Sequence, residues 1–274
     1  MFDEARPSDH ALMQDPAFAQ ALKLCGQQPL MLASGEVVLQ RRFFGVRVAM
    51  LPRARPPPDL TSQLAKAGLH RTPLILSPET PCDLPRCLAL RRPYDVAMLN
   101  LEQDEDSRRA RLHPKWRNQL KAAEKRRILV TRWPLTADPN CNVLETESAQ
   151  AKQRGYANWP AALTAAFAAA APQQTHLFEA IHRGKNVAHM LFLTHGQTAT
   201  YHIGHITEAG KRIGAHNLLL WQASLKLAEM RCRTLDLGLL HAATPDLNRF
   251  KLRCGATRRK TGGTHLYWHP FARS

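Results

Sequence analysis

The sequence predicts a mixed α and β chain, of α+β or α/β class, in which helices flank a mixed sheet. Three stretches carry that prediction. From Ala199 to Ala256 a strand, a glycine-punctuated loop, a helix, a second strand and a basic helix follow in quick succession, and a helical crossover between strands calls for parallel pairing. Just before it, Thr175 to His182, Asn186 to Thr194 and Ala199 to Ile206 read as an antiparallel meander turning at Arg183-Gly184 and His195-Gly196-Gln197. Third, His113 to Ile128 reads as a helix with Pro114 in its first turn, Trp116, Leu120, Ala123 and Ile128 on one face, and Arg117, Lys121 and Lys125 on another.

In chain order, Asp9 to Gly26 places Leu12, Met13, Phe18, Ala21 and Leu22 at helical spacing, with Gly26 as a stop. Pro29 to Ala33 and Glu36 to Met50 read as strands, the second carrying Phe43, Phe44, Val46, Val48 and Met50. After Pro56-Pro57-Pro58, Asp59 is placed to cap a short helix facing Leu60 and Leu64 inward. Leu74 to Leu76 is a strand, and Pro78 to Pro93, with four prolines, reads as a loop. Tyr94 to Leu101 is a further strand, followed by an acidic turn from Glu102 to Asp106. Beyond the basic helix come a strand from Leu129 to Trp133, a helix from Glu145 to Gly155, and an alanine-rich helix from Trp159 that Pro172 ends.

The last run is the most informative. Ala199 to Ile206 is rich in β-branched and aromatic residues, and Thr207 to Gly214 supplies loop residues. Leu218, Trp221, Leu225 and Ala228 then recur at helical spacing, with Leu219, Gln222 and Lys226 between them. Thr234 to Leu240 is a short apolar strand, and Pro245 opens a helix carrying Asn248, Arg249, Phe250 and Lys251 before Gly255 stops it.

With 44% hydrophobic and 22% charged residues among 274, the chain is globular and large enough for one large or two small domains. Met1 to His10 is acidic and polar, and no run of about eighteen apolar residues exists, so neither a leader nor a membrane span is expected and the protein is read as cytoplasmic. Cys25, Cys82, Cys87, Cys141, Cys232 and Cys254 lack paired spacing, which argues against a zinc site or a disulfide framework. The formal charge of +16 is concentrated in two segments. Ser107 to Trp133 holds ten Lys or Arg against one acid, Glu124, and Arg249 to Ser274 holds seven against none, so the rest of the chain is formally neutral. Clustered cations of this kind suit a polyanion, with Arg117, Lys121 and Lys125 as binding candidates, although a solvated face accounts for the same pattern.

Four landmarks in order give the C-terminal half its resemblance: the strand around Tyr201, the long helix after Gly214, the strand end Asp236-Leu237-Gly238, and the stretch from Asn248-Arg249-Phe250-Lys251 to Gly255-Ala256. Together they resemble the FemAB-type branch of the GNAT acyltransferase superfamily, the peptidoglycan bridge-forming aminoacyltransferases. Cys254 and Leu239 depart from the family pattern, which has an aromatic residue and a second glycine there. The resemblance implies a GNAT-like mixed sheet over residues 107 to 274 and a smaller, degenerate GNAT-like half over residues 1 to 106.

It also implies the chemistry. A GNAT acetyltransferase holds the CoA pyrophosphate on a glycine loop at a helix N-terminus, and here that place is Ala209 to Gly214. Gly214 is retained, but Ala209 replaces the leading Gln or Arg and Arg212 stands where a glycine lets the backbone approach. This favours aminoacyl-tRNA over acetyl-CoA or another acyl-CoA as donor, with Lys211, Arg212, Gly214 and Arg249 as donor or phosphate contacts and no cofactor. The acceptor is an amine on a cell-wall precursor, a peptide or a small molecule. Lys251 matches the lysine of the family's "FK" motif, which implies stabilisation of the transition state; a surface lysine is the bland alternative. Asp236, at a strand end, is placed to orient the amine or take its proton, or merely to cap the strand.

Histidines gather nearby as His189, His202, His205, His216 and His241. His202 and His205, three apart on a strand, are expected on opposite faces, which argues against a shared metal. No pattern for covalent catalysis is visible. Two alternatives stay open: a CoA-dependent N-acyltransferase, and a non-catalytic nucleic-acid-binding module on a GNAT shell.

Overall fold

The computed structural model describes residues 10–43 and 45–268, with the Phe43 side chain also left aside. The sequence readings placed on Met1 to Asp9, on the side chains of Phe43 and Phe44, and on Arg273 lie outside the described residues. The chain divides into two units. One comprises residues 10–95 with 259–268, the other Val96–Arg258.

In the first unit, Asp15 accepts a hydrogen bond from the Ala17 amide at 2.8 Å and Pro16 opens helix α1 (Pro16–Leu24), which buries Phe18, Ala19, Ala21 and Leu22. Strands β1 (Leu30–Met31), β2 (Val37–Phe43) and β3 (Val46–Pro52) pair antiparallel. Helix α2 (Leu60–Lys66) then crosses over to β4 (Leu74–Ser77), which pairs parallel with β3. Leu60 and Leu64 point inward as the periodicity requires, joining Val38, Leu51, Leu74 and Leu76 in one core. The stretch read as a proline loop contains strand β5 (Leu88–Arg91), and the sheet order is β1-β2-β3-β4-β13-β5. Its fifth member, β13 (Thr264–Tyr267), comes from the far end of the chain.

The second unit holds a seven-stranded sheet in the order β12-β6-β11-β10-β9-β8-β7. Strand β6 (Asp95–Asn100) leads into helices α3 (Glu105–Arg111) and α4 (Pro114–Glu124). The boundary read from the sequence at residues 106 and 107 falls inside α3. Helix α4 buries Trp116, Leu120 and Ala123 but stops four residues short of the expected end, and Ile128 opens strand β7 (Ile128–Trp133). Helices α5 (Asn142–Arg154) and α6 (Ala161–Ala170) follow, and then the meander β8 (Thr175–His182), β9 (Lys185–His195) and β10 (Thr198–Ile206) stands as expected.

After β10 come α7 (Glu208–Ile213), α8 (Ala215–Glu229), β11 (Thr234–Leu239), α9 (Pro245–Arg253) and β12 (Thr257–Lys260). The stretch read as a loop before Gly214 is therefore a short helix, capped by the Thr207 hydroxyl on the Gly210 amide at 3.1 Å. Helix α8 is less amphipathic than its spacing suggested. Leu218, Leu219, Leu220 and Trp221 are all buried because the sheet and α4 both pack on it. Among the described residues no helix is long and apolar enough to cross a membrane.

Gly210 is fixed by close packing. A Cβ there would stand 2.4 Å from the Val187 carbonyl oxygen, a backbone atom that cannot swing aside. Gly210→Ala should lower stability by about 1–3 kcal/mol. A urea titration would show this as an earlier midpoint at unchanged slope.

Candidate active site

Strands β10 and β11 run parallel through three registered pairs, Thr198 with Thr234, Ala199 with Leu235 and Thr200 with Asp236. Beyond them the strands part. β10 continues along β9 to Ile206, while β11 turns away along β6 with an irregularity between Asp236 and Leu239. The turn needs Gly238, at φ +79, where an L side chain is strained. Asp236 is not at the strand end as the sequence suggested but in the middle of β11, where the parallel pairing stops, and its buried carboxylate accepts the Gly238 amide at 2.7 Å and so fixes the bend.

Lys251 enters this notch from α9. Its side chain is only 6% exposed, and its Nζ donates to the Leu239 carbonyl at 3.0 Å. A Cβ at Gly238 would sit 3.7 Å from that nitrogen, in ordinary contact, so the glycine packs directly beside the ammonium. Burial lowers the Lys251 pKa to about 8, with the charge of Asp236 opposing the shift. The two residues placed by sequence in the catalytic roles thus act on one another at the parting of the strands.

The donor candidates separate. Arg249 lies two residues from Lys251 on α9 and so turns to another side, where it pairs with Asp246. There it lines a cavity of about 290 Å³ together with Lys115, Trp116, Gln119, Phe250 and Arg253. Lys211 pairs with Glu208 at 2.5 Å, and the Arg212 carbonyl accepts from Arg126 at 2.9 Å, so both belong to the surface of α7. Gly214, at φ +72, ends α7, and its carbonyl accepts from the Asn217 and Leu218 amides of α8. A Cβ on Gly214 would meet the Ala123 Cβ and the Gln119 carbonyl at 3.4 Å. Helix α4 is thus packed against the start of α8.

The basic segment before β7 is partly structural. Arg108 is buried and donates to the Ser224 carbonyl at 3.2 Å, and Arg109 stacks 4.8 Å over Trp221 while pairing with Glu124. Arg117 donates to the Ala110 and Leu112 carbonyls at the end of α3. Of the three polyanion candidates, only Lys121 and Lys125 face solvent fully.

Around β10 lies a polar network that no sequence motif announced. The irregularity between Tyr201 and Ile203 inserts one extra residue into β10, which uses up a step of side-chain alternation. His202 and His205 therefore do not face opposite sides as expected. Both turn toward the α5 and α6 layer, His202 to Thr164 at 3.1 Å and His205 to Gln150 at 3.4 Å. Gln150 also donates to the Gly204 carbonyl at 3.1 Å, and Asn158 to the His202 carbonyl at 3.3 Å. Buried Glu147 orders this set by accepting from Tyr156 and Asn158, each at 2.9 Å. The i, i+3 spacing of Glu147 and Gln150 on α5 was the one available signal.

His216, in the first turn of α8, bonds the His205 carbonyl through Nε2 at 2.9 Å. A carbonyl only accepts, so Nε2 carries the proton and Nδ1 is bare. The rings of His189 and His205 stack at 5.4 Å, and His216 lies 6.2 Å from Phe250, the neighbour of Lys251. Among the described residues no group of three or more His, Cys, Asp or Glu can hold a metal ion.

A buried cation beside the parting of two parallel strands is a group able to stabilise negative charge that develops on an oxygen there. Residues 107–251, more than half of the chain, match the family described as "Acetyltransferase (GNAT) domain", and the chain belongs to that family of acyltransferases. That membership sets aside a non-catalytic reading. Among solved structures the chain is similar to FemX, at TM-score 0.74 and 12% identity over 95% of this chain and 92% of that one. It is also similar to the C-terminal domain of a protein described as a lysylphosphatidylglycerol synthetase from Agrobacterium fabrum, at TM-score 0.62 and 15% identity over 95% and 90%. L-PGS from Bacillus licheniformis gives a TM-score of 0.59 at 11% identity over 97% and 94%. At such identities the likeness is one of fold. Comparison with curated protein sequences finds no match.

Burial lowers the pKa of His176, His189, His202 and His216 from 6.5 to about 4. The native state keeps these rings neutral where the unfolded chain binds protons, so their contribution is complete above pH 6.5 and is lost as pH falls toward 4. Unfolding free energies measured by urea should therefore decline steadily between pH about 6.5 and 4. A flat profile over that window would contradict the buried, neutral assignment.

Proposed function

We propose that the protein transfers an aminoacyl group from aminoacyl-tRNA to an amine on a cell-wall precursor, peptide or small molecule, acting in the cytoplasm. The observation that carries this reading is the Lys251 ammonium, held at the strand parting by the Leu239 carbonyl. The ester at the tRNA 3′ end is already activated, so no enzyme nucleophile is required. The neutral amine attacks the ester carbonyl, a C–N bond forms, and the electron pair moves onto the oxygen beside Lys251. Collapse breaks the C–O bond to the ribose. The proton lost by the amine, taken up through Asp236, ends on the departing ribose oxygen.

Three features support tRNA over acyl-CoA as donor. Helix α4 packs against Gly214, where a CoA pyrophosphate would need an open helix start. The Gly204 and His202 carbonyls already bond Gln150 and Asn158, leaving them engaged when a pantetheine arm would seek them. Lys115, Arg249 and Arg253 surround a cavity with Trp116 and Phe250 in its wall, which suits nucleotide phosphates beside a stacking surface. Lys121 and Lys125 add exposed cations at the end of α4, while Lys211 and Arg212 stand in the last turn of α7. FemX shares the fold, and the resemblance of the C-terminal half to FemAB-type aminoacyltransferases supplies the donor class we adopt.

Transfer from aminoacyl-tRNA, followed with a labelled amino acid, tests this. Lys251→Ala should lower kcat about 10²–10³-fold with tRNA affinity unchanged. Because the Lys251 pKa is lowered to about 8, the rate should fall above that pH. Lys251→Arg, which stays charged, should retain activity without that fall. Unchanged transfer in Lys251→Ala would remove the assignment, and stoichiometric binding of acetyl-CoA by calorimetry would overturn the donor.

A further inference from the structure

The geometry points to a second function for the first unit: the β5 edge of its six-stranded sheet is a docking surface for an anionic phospholipid membrane. Among the described residues β5 is the last strand of the sheet and pairs only with β13, with Leu88 opposite Leu266. All four of its residues are exposed, Leu88 at 64% and Leu90 at 48%. Just past the end of the paired strand, Trp268 is 48% exposed, although its indole N–H is anchored on the Arg71 carbonyl at 3.0 Å. Tyr94 closes the same segment, 38% exposed. A held tryptophan that still shows half its ring, two residues past the partner of Leu88, and two outward leucines on the strand are not explained by the packing of this unit.

The charge around these residues identifies the partner. From Leu84 to Tyr94 the sequence carries three arginines and no acid, and Arg86, Arg91 and Arg92 are all exposed. Leucine and tryptophan interleaved with arginine is the composition of segments that lie in a membrane interface, apolar groups at the acyl boundary and guanidinium groups on phosphates. A nucleic acid would satisfy the arginines and leave the leucines in water. A second copy adding a strand is opposed by the edge itself, which is four residues long, irregular at Leu90, and flanked by Arg92 and Pro93. The docking is peripheral and requires no membrane span.

The test is flotation of the full-length protein with vesicles of phosphatidylcholine alone and with about one-third phosphatidylglycerol. Binding is expected only to the anionic vesicles and should weaken as salt rises. Arg91→Gln with Arg92→Gln should weaken it by about 25-fold, taking roughly fivefold for each cation near the surface. Leu88→Asp with Leu90→Asp should abolish it, and because these side chains are exposed the variant should melt at the wild-type temperature. Three results would overturn the proposal. One is no binding to anionic vesicles. The second is binding that persists in the leucine variant, which would assign adsorption to the other basic segments. The third is a dimer in light scattering that the leucine variant disrupts while vesicles are ignored.

Discussion

Once β10 and β11 separate after Thr200 and Asp236, the backbone groups beyond that point must find partners other than each other. On the β10 side the partners are side chains from three directions: Asn158 on the His202 carbonyl, Gln150 on the Gly204 carbonyl, and His216 on the His205 carbonyl. On the β11 side Asp236 takes the Gly238 amide and Lys251 takes the Leu239 carbonyl. A break in one ladder thus draws polar groups from α5, the loop after it, α8 and α9 to one place. The site exists because the strands stop pairing.

The formal charge looked, in the sequence, like one property spread over two segments. In the structure it divides by role. Arg108 and Arg117 satisfy backbone carbonyls and Arg109 covers Trp221, so these cations hold α3, α4 and α8 together. Lys121 and Lys125 face solvent, and Lys115, Arg249 and Arg253 line a cavity. Counting cations along the chain therefore overstated the surface available to a polyanion, since an arginine whose fork caps a helix end looks the same in sequence as one that meets phosphate.

What the sequence made legible was local. The meander, the crossover helix α8 and the basic helix α9 follow from short-range periodicity and from Pro and Gly at element ends, while Lys251 and Asp236 were candidates that the family resemblance and strand position suggested. What it hid depends on distant partners. Strand β13 is four residues long and lies between β4 and β5, whose residues stand well over a hundred positions earlier, so no local signal marked it. β5, exposed on both faces and flanked by prolines, read as loop for the same reason. The pair His202 and His205 was misplaced because alternation assumes a regular strand, and the extra residue after Tyr201 shifts it by one. Thr207 to Gly214 read as loop because Gly210 weakens the helical signal, whereas tertiary contact with Val187 is what requires that glycine.

The position of Lys251 also shows how a lysine can be buried and still charged. An ammonium has three N–H donors, and the Leu239 carbonyl occupies one of them. Gly238 adds no side chain beside the other two, and a Cβ there would stand 3.7 Å from Nζ. Burial disfavours the charge and brings the pKa down to about 8, yet Asp236 keeps it from falling further, so the group is still a cation at neutral pH. In the reaction we propose, an oxyanion beside Lys251 would relieve the desolvation that burial imposes, because it supplies the counter-charge that a single carbonyl cannot. On the mechanism we propose, the cation is better satisfied with the transition state present than without it, which is the condition for an electrostatic contact to accelerate a reaction instead of merely binding its substrate.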